Sequence, residues 1–151
     1  LHTKIGYNWR MSEINAILGI YQLRRLDEFL VKRNHVANRY AQELNDLKNL
    51  TLISVPSNIR HSFWKYPILL NSIKASHLEK IFREKYEIAL GTIYFPPIHL
   101  QPFYKEKFGF SSGMLPVSED VLSRETCLPI FADISEEMID NVIKCIRMEL
   151  K

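Results

Sequence analysis

The sequence of 151 residues predicts an α+β domain: a small, mainly antiparallel sheet with helices largely on one face, preceded by long connecting helices. Three observations carry this. Apolar stripes with a helical period open and close the chain. Between them lie short runs of branched and aromatic residues, and the link between the first two runs is short, as antiparallel neighbours require. With 46% hydrophobic and 25% charged residues, the chain resembles an ordinary globular domain and can bury a core.

Leu1 to Arg10 reads as a loop, with Gly6 and Asn8 as turn formers. Ser12 is placed to cap a helix whose face carries Ile14, Ile17, Leu18 and Tyr21. The stripe resumes through Leu26, Phe29, Leu30, Ala37, Tyr40 and Leu44, which predicts a second, longer helix to about Leu47, with a bend near Arg24 or Arg25. Leu50 to Val55 is a short strand stopped by Pro56. Ser62 to Leu70 is a second strand, and Pro67 within it argues for a sheet edge or a bulge. Ser76 and Glu79 are spaced as a capping box for the next helix. Ile88 to Tyr94 reads as a strand ended by Pro96-Pro97, and His99 to Ser112 as an irregular aromatic stretch. A short helix over Val117 to Arg124 and a strand over Thr126 to Leu128 follow. Ser135 caps the last helix, with Ile134 and Ile139 as a hydrophobic staple across the cap.

Several function classes are disfavoured by composition. The net charge is +3, from 20 basic and 17 acidic residues, and runs such as Lys80, Arg83, Glu84 and Lys85 mix the signs as solvated helix faces do. Nucleic-acid binders concentrate basic residues instead, and no turn glycine separates the opening helices as a helix-turn-helix would need, so no nucleic-acid partner is expected. No apolar run approaches the ~20 residues of a membrane span, so no membrane partner is expected. Cys127 and Cys145 form no C-x-x-C pair and read as free thiols of a cytoplasmic protein. Histidines 2, 35, 61, 77 and 99 are scattered, and no metal site is expected. There is no Gly-rich phosphate loop, no G-x-S-x-G and no H-E-x-x-H. The chain opens Leu1-His2-Thr3 without Met, which points to a piece of a longer polypeptide. Residue types alone reach no further than an α+β domain.

Two segments reach further. Gly6-Tyr7-Asn8-Trp9-Arg10-Met11-Ser12-Glu13, continuing into Gly19 to Leu26, resembles the G-x-N-x-R-[ML]-S-E motif of the DegT/DnrJ/StrS aminotransferases, enzymes that aminate nucleotide-linked keto-sugars. Tyr94-Phe95-Pro96-Pro97-Ile98-His99-Leu100-Gln101-Pro102 resembles that family's proline-rich loop. Echoes at His61 to Tyr66, Leu115 to Glu119 and Cys127 to Ile130 follow in the family's order.

The resemblance implies the small-domain half of an aspartate-aminotransferase-like fold, with residues 1–25 ending the large domain and residues 26–151 forming the C-terminal small domain. It implies pyridoxal phosphate as cofactor, a nucleotide-sugar and an amino donor (glutamate by family habit) as partners, and active sites at a homodimer interface. The lysine that carries the cofactor lies in a Ser/Asn-Lys motif upstream in the family. Nothing here matches it, Lys4 included, so no catalytic residue is assigned and the chain alone is expected to be inactive. Asn8 matches the position that reaches the phosphate of the partner subunit's cofactor, where a neutral amide donates N–H without adding charge. Arg10 is either a fork onto a substrate phosphate or carboxylate, or a structural ion pair. Tyr94 and His99 fall in the loop bordering the nucleotide-sugar pocket. For Tyr94 the alternative is sheet packing, and for His99 a hydrogen bond that staples the loop. A non-catalytic regulatory or protein-binding module of the same ancestry is the other functional reading.

Overall fold

A computed structural model describes residues 3–151. Helix α1 (Glu13–Arg24) begins where the Ser12 hydroxyl accepts the Asn15 N–H at 3.3 Å. It stops at Arg25, whose N–H returns to Gln22 and Leu23 carbonyls, and α2 (Leu26–Leu44) starts at once. The bend expected near Arg24 or Arg25 is therefore a true break between two helices. The four α1 residues of the predicted apolar face, Ile14, Ile17, Leu18 and Tyr21, are all exposed. Ile20 and Leu23, on other sides of the helix, are exposed too, and no α1 side chain is buried.

Strands β1 (Leu50–Leu52) and β2 (Tyr66–Leu70) pair antiparallel, Leu50 opposite Leu70. Helix α3 (Ala75–Tyr86) follows, then a single 3₁₀ turn at Ile98–Leu100, α4 (Pro102–Phe108) and α5 (Pro116–Arg124). Helix α5 runs directly into β3 (Glu125–Leu128), which pairs antiparallel with β2, and α6 (Glu136–Glu149) ends the fold. The sheet order is β1-β2-β3.

Tyr66, Ile68 and Leu70 alternate onto one face of β2, as the two-residue period of a strand dictates. They pack with Tyr40 and Leu44 of α2, Leu78 and Phe82 of α3, and Ile139, Val142, Ile143 and Ile146 of α6 in one continuous core. Tyr40 reaches further: its hydroxyl donates to the Pro129 carbonyl at 2.8 Å, and burial pushes that hydroxyl's pKa well above its usual value. Ser135 caps α6 by accepting the Met138 N–H, and Ile134 and Ile139 are both buried across the cap. Arg39 of α2 bridges to Glu136 and Asp140 of α6, both at 2.6 Å.

Four local expectations are corrected. First, Ile88 to Tyr94 is not a strand. Only Gly91 pairs with β3, exchanging two backbone bonds with Cys127, and the Ile93 N–H goes to a side chain instead of a ladder. Second, β2 is the central strand, not an edge. Cys127 faces Pro67 but spends both its backbone groups on Gly91, so the Pro67 nitrogen points the other way, where β1 has already ended opposite Ile68. A proline is tolerated there because no ladder bond is lost. Third, α3 starts two residues too early for a capping box: Lys74 is the N-cap and makes no side-chain bond, while the Glu79 carboxylate lies 3.4 Å from the Thr126 hydroxyl. Fourth, the stretch after His99 is largely helical. Pro102 stands at the first position of α4, where its missing N–H has no partner to lose, and Gly109 ends the helix at φ 70.

Candidate functional site

Two separate regions carry the residues singled out above. The first is an arm, residues 3–12, without helix or strand. The Tyr7 and Trp9 rings stack at 5.2 Å and 7°, which places them on one side of an extended segment and Asn8 and Arg10 on the other. Asn8 and Arg10 are exposed, and neither side chain has a hydrogen-bond partner among the described residues. Among the described residues, neither Asn8 nor Arg10 lines the hollow that holds Tyr94 and His99, and no hydrogen bond joins residues 3–12 to either.

The second region is a mainly apolar hollow of about 450 Å³, walled by Tyr94, Ile98, His99, Tyr104, Phe110 and Leu122 among others. It brings Tyr94 and His99 together. Tyr94 is not packed on the sheet: its side chain is 68% exposed, on a backbone held in the left-handed region at φ 54. His99 is buried, its ring edge-on to Phe110 at 6.5 Å, and its Nε2 lies 3.0 Å from Glu119 Oε1. That bond staples the loop, and it leaves Nδ1 without a protein partner among the described residues.

Glu119 is the hub that sequence reasoning missed. Besides His99, its carboxylate accepts the Ser112 hydroxyl at 2.9 Å and the N–H groups of Gly113 and Leu115. The Gly113 N–H, with His99 next, holds its pKa down to about 2. One side chain at the start of α5 thus ties the 3₁₀ turn, the 112–115 loop and its own helix together. The Leu115-Pro116-Val117-Ser118-Glu119 echo contained this residue, but nothing in the spacing says that a glutamate there turns back on the preceding loop.

The other missed residues are Lys65 and Glu125, which hold the approach to Tyr94. Lys65 Nζ donates to the Thr92 carbonyl, and Glu125 Oε2 accepts the Ile93 N–H at 2.9 Å. Cys127, expected to be a free thiol, is free and buried, and burial raises its pKa to about 12, which keeps it unreactive. Cys145 is likewise free and buried. No cluster of metal-ligating side chains is found among the described residues, and no described helix is long and apolar enough to cross a membrane.

The model of the DegT/DnrJ/EryC1/StrS aminotransferase family matches residues 1–147. The spore coat polysaccharide biosynthesis protein SpsC of Bacillus subtilis is 30% identical over 145 residues, which covers 94% of this chain and 37% of SpsC. The GDP-perosamine synthase of Escherichia coli O157:H7 is 30% identical over 146 residues, covering 96% of this chain and 38% of the synthase. A crystal structure of a DegT DnrJ EryC1 StrS aminotransferase from Brucella abortus superposes with TM-score 0.83 at 29% identity, over 98% of this chain and 38% of that one. The chain therefore spans well under half the length of the relatives it matches.

Proposed function

The chain belongs to the DegT/DnrJ/EryC1/StrS aminotransferase family, and from that premise we propose that it is the C-terminal part of a pyridoxal-phosphate-dependent sugar aminotransferase. The intact enzyme moves an amino group, from glutamate, onto a nucleotide-linked keto-sugar for polysaccharide or amino-sugar synthesis. The observation that carries this reading is the collinear match of nearly the whole chain to proteins named for that work, SpsC and GDP-perosamine synthase.

Residues 1–25 are read as the end of the large domain with its connecting helix, and residues 26–151 as the small domain. The donor set of this chain fits the rim of a cofactor site rather than its floor. Asn8 offers an exposed amide without a partner among the described residues, suited to a phosphate oxygen, and Arg10 an exposed guanidinium fork. When bound, pyridoxal phosphate supplies the electron sink for transamination. This chain's residues hold and orient: Asn8 the phosphate of the partner subunit's cofactor, Arg10 an anionic group of the substrate, and Tyr94 with His99 the sugar nucleotide. Helix α1, with six large apolar side chains spread over more than half its circumference and uncovered, supports the homodimer, because so wide an apolar surface is normally buried.

The test is to supply the intact polypeptide with pyridoxal phosphate, glutamate and a dTDP- or GDP-linked keto-hexose, and to follow 2-oxoglutarate. One equivalent per amino-sugar is expected, with Asn8→Ala weakening cofactor binding about tenfold, the scale of one lost charge-assisted hydrogen bond. The chain of 151 residues alone is expected to yield no cofactor absorbance that borohydride makes permanent. Turnover by this chain alone, or none by the intact polypeptide with any such sugar, would count against the reading.

A further inference from the structure

We propose that Glu125 and Lys65 are positioning residues that fix the backbone at Thr92 and Ile93 so that Tyr94 is presented at the hollow it lines. The proposal rests on the reading above, in which that hollow takes the nucleotide-sugar.

Glu125 lies on β3, two residues before Cys127 and on the same face, away from the main core. It is only 7% exposed, and no Lys or Arg forms a salt bridge with it among the described residues. A carboxylate buried without a cation is costly unless its oxygens are otherwise satisfied. Here both are used: Oε2 takes the Ile93 N–H at 2.9 Å, and Oε1 takes the Cys127 thiol at 3.1 Å. An apolar residue would fill the space at less cost but would leave the Ile93 N–H without an acceptor.

The tethers fall on three consecutive residues. Gly91 exchanges N–H and carbonyl bonds with Cys127 at 3.0 and 2.7 Å, and its carbonyl also accepts the Thr126 hydroxyl at 2.9 Å. Lys65 Nζ holds the Thr92 carbonyl, and Glu125 holds the Ile93 N–H. Beyond Tyr94 a second set takes over. Gln101 Nε2 donates to the Pro96 carbonyl at 3.0 Å, and Glu119 holds His99. Tyr94 stands between the two sets, left-handed and exposed. A non-glycine residue keeps that conformation only where its surroundings over-determine it, and such sites cluster where ligands are held. Lys65 also couples this loop to the 61–65 loop, where Phe63 is left-handed as well, at φ 41.

The experiment uses the intact cofactor-loaded enzyme with Glu125→Ala, Glu125→Gln, Lys65→Met, Tyr94→Ala and the Glu125→Ala/Tyr94→Ala double variant. Amide exchange at Ile93 is expected to quicken tenfold or more in Glu125→Ala and to stay within threefold of the parent in Glu125→Gln, whose amide oxygen still accepts. The KM for a dTDP- or GDP-linked keto-hexose is expected to rise about tenfold in Tyr94→Ala, Glu125→Ala and Lys65→Met, with the KM for glutamate within twofold. The double variant is expected to be no worse than Tyr94→Ala, because residues acting through one another do not add. Additive losses, an even fall in every kinetic constant, or unchanged exchange at Ile93 would overturn the proposal. If Tyr94→Ala leaves the sugar KM untouched, it is the substrate reading that fails. Ile93 exchange then decides the anchoring alone: faster in Glu125→Ala and restored in Glu125→Gln supports it, and no change refutes it.

Discussion

Residues 3–24 and residues 26–150 have similarly apolar helices and opposite fates. In α6, Ile139, Val142, Ile143 and Ile146 fall on one side of the helix and are all buried. In α1, Ile14, Ile17, Leu18, Ile20, Tyr21 and Leu23 spread over more than half the circumference, and all are exposed. An amphipathic helix with a narrow stripe finishes its burial within one domain, whereas one with a wide apolar spread needs neighbours on more than one side. The difference teaches that hydrophobicity by itself does not report membership of this core. The angular spread of the apolar residues does.

The comparison breaks first at the core. Phe82→Ala removes a fully buried ring packed edge-on against Tyr86 and is expected to cost about 3–5 kcal/mol of unfolding free energy in a urea titration. Leu18→Ala in α1 is expected to stay within about 0.5 kcal/mol, as for other exposed sites. Equal costs at the two positions would show that α1 is part of the same cooperative unit.

A second test sharpens the claim about neighbours. The isolated chain is expected to self-associate through its exposed apolar helix, and Ile17→Glu with Leu23→Glu to shift sedimentation toward monomer while leaving the unfolding midpoint in place. A parent chain that stays monomeric at high concentration, binding no apolar dye, would show that this surface needs no cover.

The smallest expected effect concerns the hub. Glu119 has its pKa lowered in the fold from 4.5 to about 2, so its contribution is full above pH 4.5 and is lost as pH falls through about 2. Amide exchange at Gly113 and Leu115 should therefore quicken across that acid window, and Glu119→Gln should remove the dependence. An unchanged acid profile in that variant would assign the transition to other carboxylates.

The helices were legible where local chemistry decides them. Ser12 and Ser135 cap as read, and the break at Arg25 and the Ile134–Ile139 staple lie where the pattern puts them. What the sequence hid depended on distant partners. Ile88 to Tyr94 has a strand's composition, yet a carboxylate 32 residues away takes the N–H that a ladder would have used. Pro67 reads as a sheet edge or a bulge because the first strand is expected to run to Val55, whereas β1 stops at Leu52, opposite Ile68. The stretch from His99 to Ser112 reads as irregular, yet the missing N–H of Pro102 makes it a good first residue of a helix. Of the candidate site, the residue types at positions 8, 10, 94 and 99 were legible from their motifs. Their surroundings were not: Glu119, Lys65 and Glu125 act through side chain to backbone bonds that no periodicity encodes.

The break at Arg25 makes a natural seam. Among the described residues no side chain before it is buried, so a foreign helix spliced on at that joint would meet no core residue that had to move. Chimaeras between relatives should tolerate a crossover there and suffer from one placed within Val36 to Leu44, where Val36, Ala37, Tyr40 and Leu44 are buried in the core.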